Sequence, residues 1–143
     1  LLALLLPWPA GAQDLTALAR FLPAPSLVRD AGGGVEVRLA ISQPVPWKVR
    51  LLDAPPRLVL DLREVDWTGL ADMARSSSRV TDLRAGVVRA GWSRLVMDLS
   101  GPLAVTRAAM ETAAGTRIVL RLDPVPQAEF AALAQRPDPP GWA

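Results

Sequence analysis

The 143-residue chain contains no cysteine and no histidine. Without cysteine it can form no disulfide, present no thiolate nucleophile and offer no sulfur to a metal. Without histidine it has no imidazole to move a proton near neutral pH. A Ser-His-Asp triad, a His-ligated zinc and imidazole acid–base catalysis are therefore excluded together. Lysine occurs once, as Lys48, and the other fifteen basic residues are arginines. The sequence pI of 10.3 thus overstates a formal net charge of only +2. The arginines are scattered, with Asp and Glu between them, instead of forming a dense basic face interleaved with aromatics. Nucleic acid is not the expected partner.

Half of the residues are hydrophobic and 21% are charged, which suits one domain with a real core. A chain of this size buries roughly two-thirds of its unfolded surface and needs no metal or disulfide to fold. At the front, Leu1-Leu2-Ala3-Leu4-Leu5-Leu6 is too short to span a bilayer, which takes about 20 residues. Ala10-Gly11-Ala12 follows in the small-x-small form of a signal-peptidase site. Residues 1–12 read as a signal peptide lacking its first residues, with cleavage before Gln13. The alternative is a buried apolar N-terminal segment. Export without cysteine fits a bacterial periplasm at least as well as a eukaryotic exterior.

Strand periodicity dominates the remainder. Val35, Val37, Leu39 and Ile41 alternate with Glu36, Arg38 and Ala40, as expected for a half-buried strand. Val45 to Leu52 and Arg57 to Leu62 flank Asp53-Ala54-Pro55-Pro56, a hairpin with a proline-stiffened turn. Leu58, Leu60 and Leu62 point inward, as do Leu95, Met97 and Leu99. The pattern also repeats. Leu15–Leu18 matches Val80–Leu83, and Val37–Pro44 matches Leu95–Pro102. Val45–Leu52 matches Leu103–Met110, and Arg57–Leu62 matches Arg117–Leu122. Each half carries Ser-x-Pro punctuation before its third strand.

These features predict an all-β fold in which two four-stranded sheets, one per half (about 15–67 and 80–126), pack as a pseudo-symmetric β-sandwich within a domain spanning 13–126. The connector from Asp66 to Ser78 reads as loop with one helical turn at most. Residues 127–143 read as a short helix, with Phe130 and Leu133 on one face, and then a proline-rich linker to something further along.

Pro55-Pro56-Arg57-Leu58-Val59-Leu60-Asp61-Leu62 and Gly91-Trp92-Ser93-Arg94-Leu95-Val96-Met97-Asp98-Leu99 resemble the paired motifs of the AMIN domain. That domain is found at the front of periplasmic N-acetylmuramoyl-L-alanine amidases and of some pilus secretins. The resemblance covers residues 15 to 126 and implies a symmetric sandwich of two four-stranded sheets. It further implies binding to peptidoglycan, or localisation at the division site alongside divisome or envelope proteins, with the chemistry done elsewhere by a zinc domain. No catalytic, metal or cofactor residue carries over, because this chain has no histidine. The expected chain is a non-catalytic, periplasmic wall-targeting module of an amidase. The alternative is a docking module that takes up a partner at its sheet edges, as the secretin association would allow.

A wall binder needs aromatic rings to stack on sugars and arginines to grip stem-peptide carboxylates. The densest cluster holds Arg84, Arg89, Trp92 and Arg94, with Gly86 and Gly91 between them. The plainer reading is an ordinary hairpin, with Trp92 packed over the core rim and Arg94 paired to a cross-strand Asp. Trp47, beside Lys48 and Arg50, is a second candidate whose plainer reading is a packed strand aromatic. Trp67 is expected to plug the end of the sandwich. Arg57–Asp61 and Arg94–Asp98 are expected to be solvated face pairs. Glu36, Glu64, Glu111 and Glu129 keep a two-carboxylate glycosidase formally open, but no spacing brings two of them together.

Overall fold

A computed structural model describes residues 18–136. The signal-peptide reading of 1–12, most of the Leu15–Leu18 repeat unit and the proline-rich tail from Pro137 fall outside the described residues. Within them the regular structure is mostly strand: β1 (Ala19–Ala31), β2 (Gly34–Ile41), β3 (Trp47–Leu52), β4 (Arg57–Arg63), β5 (Val65–Asp66), β6 (Ala74–Ser76), β7 (Val80–Arg89), β8 (Trp92–Leu99), β9 (Leu103–Glu111) and β10 (Thr116–Pro124). A 3₁₀ turn (Leu70–Asp72) interrupts the connector, and one helix, α1 (Gln127–Ala134), follows β10.

The all-β sandwich is present, but the halves are distributed differently from the expected one sheet per half. One sheet runs β5-β1-β2-β10-β9, with β6 also on β1, and the other runs β3-β4-β8-β7. Each sheet therefore takes a hairpin from each half, and the added β5 and β6 make the first sheet six-stranded. The Ser-x-Pro units mark where the chain leaves one sheet for the other: Ser42-Gln43-Pro44 leads from β2 to β3, and Ser100-Gly101-Pro102 leads from β8 to β9. Proline cannot donate to a ladder, so it suits that corner.

The central pairings obey the duplication residue by residue. Val37 faces Leu120 and Leu39 faces Ile118 in the first sheet. Their counterparts face each other in the second, Leu95 opposite Leu60 and Met97 opposite Leu58. All eight side chains are 0% exposed and belong to one core cluster. Because the side-chain period is two, a one-residue slip at either seam would turn this whole set to solvent.

The match of Leu15–Leu18 with Val80–Leu83 lies mostly outside the described residues. Among the described residues, ladder register places Leu27 and Val28, opposite Arg38 and Val37, in the roles of Arg84 and Ala85, opposite Val96 and Leu95. Pro23 and Pro25 hide β1 from periodicity, because a strand with prolines must be interrupted. The register shifts between Leu22 and Leu27. Ser26 repairs the break, accepting a hydrogen bond from the Ala40 N–H (2.8 Å) and donating one to the Leu22 carbonyl (2.7 Å). The turn to β2 uses Gly32 and Gly33, both at positive φ (58° and 83°), as a tight two-residue hairpin requires.

The connector is fastened to β1 through Asp30. Its carboxylate accepts hydrogen bonds from the Ser77 hydroxyl (2.5 Å), the Ser78 N–H (2.9 Å) and the Ser78 hydroxyl (2.9 Å), with Arg79 at 3.3 Å. The Ser77 hydroxyl, then the Ser78 N–H, lower its pKa from 3.8 to about 2. A carboxyl depressed in the folded state contributes stability that is present above its unfolded pKa and lost as pH falls through the folded one. Between pH 3.8 and about 2, chemical denaturation should report falling stability, with a shallower fall in Asp30→Asn. Identical slopes for the two proteins would remove Asp30 from the acid response.

Candidate ligand-binding face

Alternation along β8 sends Ser93, Leu95, Met97 and Leu99 into the core and leaves Trp92, Arg94, Val96 and Asp98 on the outer face of the four-stranded sheet. The register extends this face across the sheet. Lys48 and Arg50 come from β3, Arg57, Asp61 and Arg63 from β4, and Asp82 and Arg84 from β7. With Arg89 beside Trp92, the face holds seven cations and three carboxylates.

The carboxylates are engaged across strands, not along them. Asp61 accepts from Arg94 Nε (2.7 Å) and Nη2 (3.1 Å) in a two-pronged pair. Asp98 accepts from Arg84 Nη1 (2.6 Å) and Nη2 (3.1 Å), and Asp82 takes a third bond from Arg84 Nη1 (2.9 Å). The Arg84 hydrogen bonds hold the Asp98 carboxyl below its usual range, and Asp98, then Asp82, raise Arg84. The expected Arg57–Asp61 and Arg94–Asp98 pairs are thus replaced. Residues four apart on one strand lie about 13 Å apart, whereas cross-strand neighbours are about 5 Å apart. Arg57 instead donates to the Pro55 and Asp53 carbonyls and so staples its own turn (3.0 and 3.2 Å). Arg50, opposite Val59, keeps a buried Nε with no hydrogen-bond partner among the described residues.

At the hairpin end of the face lies Trp92. The guanidinium carbons of Arg63 and Arg89 stand 5.6 and 5.4 Å from its ring centroid, within cation–π range. Gly91 permits this approach. It makes the turn at φ 80°, a conformation that L side chains rarely adopt, and the Arg63 guanidinium lies in ordinary contact distance of where a Cβ would stand, 3.4 Å. The Gly91 carbonyl accepts from the Glu64 N–H (2.8 Å), which locks the turn against the end of β4.

Four of the sequence candidates, Arg84, Arg89, Trp92 and Arg94, therefore share one face. Trp47 does not join them. It lies opposite Leu62 in the inward register and is partly buried against the core. Arg63 joins the group unforeseen; its sole sequence signal was outward parity with Asp61. Trp67 lies inside, 5.3 Å from Phe21 by ring centroids, and its indole N–H donates to the Ser93 hydroxyl (3.1 Å). No group of three or more acidic, His or Cys side chains that could hold a metal occurs among the described residues.

The family model described as the AMIN domain matches residues 26–122. No curated protein matches the chain.

Asp61 is 6% exposed, so its replacement leaves Arg94 without its bidentate acceptor in a half-buried place. Asp61→Asn should lower unfolding free energy by about 1–2 kcal/mol in urea, and adding Arg94→Gln should cost less than the two single changes together. Strict additivity would mean that the pair contributes nothing as a pair.

Proposed function

This chain belongs to the AMIN domain family, and from that premise we propose that it grips peptidoglycan with the outer face of its four-stranded sheet, at the end where Trp92 lies between Arg63 and Arg89. AMIN domains are non-catalytic peptidoglycan-binding or targeting modules, typically periplasmic. No helix among the described residues is long and apolar enough to cross a membrane.

The observation that carries the reading is the imbalance of charge on this face, concentrated beside an aromatic ring. Peptidoglycan offers sugar rings with apolar faces and stem peptides with carboxylates. An indole packs against the first and guanidiniums pair with the second in planar, two-pronged fashion. Arg84 and Arg94 already hold carboxylates of the protein, and so they shape the face. Arg63 and Arg89 approach the ring and carry the contact. In this reading the chain is the targeting portion of an N-acetylmuramoyl-L-alanine amidase, whose zinc chemistry resides in a separate catalytic domain. Individual contacts of this kind are weak, and binding to a polymer gains from repeated engagement.

Co-sedimentation with purified sacculi tests the assignment. The wild-type chain should pellet with the wall and be released as salt rises, because exposed charges are screened. Trp92→Ala combined with Arg89→Ala should weaken retention about tenfold, which corresponds to roughly 1.4 kcal/mol. Retention unchanged in that variant would move the wall contact elsewhere on the molecule.

A further inference from the structure

Charge on the outer face of the four-stranded sheet does not cancel evenly. Asp61 is held by Arg94, and Asp98 and Asp82 by Arg84. Arg57 gives its Nε and Nη2 to the Pro55 and Asp53 carbonyls. Two places are left with cations that no carboxylate holds among the described residues. One is the hairpin end, where Arg63 and Arg89 stand over Trp92. The other is Arg50, on the edge strand β3.

Register sets Arg50 beside Val59, with Val96 next in the same row. The nearest carboxylate by register is Asp61, one step diagonal to Arg50, and Arg94 grips it from the opposite strand. Arg50 makes no hydrogen bond or ion pair among the described residues. Its Nε is buried and unpaired, whereas Nη1 and Nη2 are not buried and so reach solvent. Val59 beside it is 2% exposed. A half-buried stem with a shielded Nε holds the guanidinium in place before anything binds, so little freedom is lost when a ligand arrives.

We propose that Arg50 is the second contact point of the wall-binding face, taking the terminal carboxylate of a stem peptide on its two outer nitrogens while the sugar that bears the peptide lies on Trp92. The assignment rests on wall binding through Trp92 and adds which part of the polymer the far end of the face reads. The guanidinium selects the chemistry. Its planar fork of N–H donors matches a planar pair of oxygens, as Arg94 on Asp61 shows within the same face. A sugar hydroxyl or an amide offers one oxygen and no charge.

The ladder sets the span. Val96 is four residues from Trp92 on β8, and β3 lies two strands from β8, which puts Arg50 about 16 Å from Trp92 across the face. An extended peptide advances about 3.3–3.6 Å per residue, so a stem of four or five residues covers that diagonal. The row between holds Lys48, Asp61 and Arg94, where Asp61 and Arg94 neutralise each other. Cations without a carboxylate therefore mark the two ends of the path.

The test uses the whole chain and a synthetic disaccharide bearing a stem peptide, its C-terminus either free acid or amide, titrated against backbone amide shifts. Wild type should bind the acid about tenfold more tightly than the amide. Arg50→Gln should bind both fragments as wild type binds the amide, and Arg50→Lys, which keeps the charge without the fork, should recover only part of the preference. Trp92→Ala should weaken both fragments and keep the preference. In urea Arg50→Gln should be no less stable than wild type, because it removes a buried unpaired donor, so a lost preference is not lost folding. If sacculi retain the wild type but it binds acid and amide equally, or binds neither, the Arg50 assignment is overturned and wall binding stands. A preference that survives Arg50→Gln overturns it in the same way. Wild type that sacculi do not retain overturns the wall-binding reading and this assignment with it.

Discussion

In each sheet the seam between the two halves of the sequence runs through the middle. β2 meets β10 in one sheet and β4 meets β8 in the other, and both ladders join segments far apart in the chain. Neither half can finish a sheet alone. Each contributes two hairpins to two different sheets, and its apolar faces are covered only once the other half is in place. The buried leucines that line these seams set the register, and the register in turn decides which residues reach the outer faces. The candidate site follows from this: Arg63, Trp92 and Arg89 lie in one row because Leu60 and Leu95 face each other several residues away.

The two outer faces have diverged. On the six-stranded sheet, the cations stand beside carboxylates: Arg29 and Arg38 on Glu36, Arg107 and Arg117 on Glu111, and Arg121 on Asp123. Burial works to raise Glu36, but hydrogen bonds from Arg29 and Arg38 outweigh it and leave its pKa lowered. On the four-stranded sheet the corresponding central pair is inverted, with Arg94 facing Asp61 where Glu36 faces Arg121. The first face sets five arginines against three carboxylates, while the second sets seven cations against three and so keeps the larger excess. Exposed pairs of this kind add little to stability. What they do is decide which face still has charge to offer a ligand.

The parts legible from sequence were those where one strong periodicity acts without interference. β2, β4, β8 and β10 alternate cleanly, so their inward residues and their equivalence across the duplication could be read directly. β1 could not be read, because Pro23 and Pro25 break its period and Ser26 does the work of holding the bulge. Sheet membership was also hidden. A repeat shows which strands are alike but not whether a hairpin packs with its own half or with the other. Ser-x-Pro was visible as punctuation, and its meaning as a crossover between sheets required the ladder. Trp47 and Trp92 illustrate the same limit for the site. Both are strand tryptophans near arginines, and only parity relative to Leu62 and Ser93 separates the ring packed against the core from the one on the outer face.

A duplicated sandwich is symmetric in its core and cannot remain so at its margins, because one chain connects the halves once. The connector from β4 to β7 passes over the β1 side and leaves β5 and β6 there; among the described residues the segment after β10 instead forms α1 over the opposite side. Bare edges are ordinarily blunted by charge, bulges or cover. β7 carries two register shifts, between Val80 and Asp82 and between Val87 and Arg89, which bracket its open stretch and do not interrupt it. That stretch lies above the connector and next to the cationic face, so the asymmetry imposed by a single connection places an open strand edge and a charged sheet face side by side on one margin.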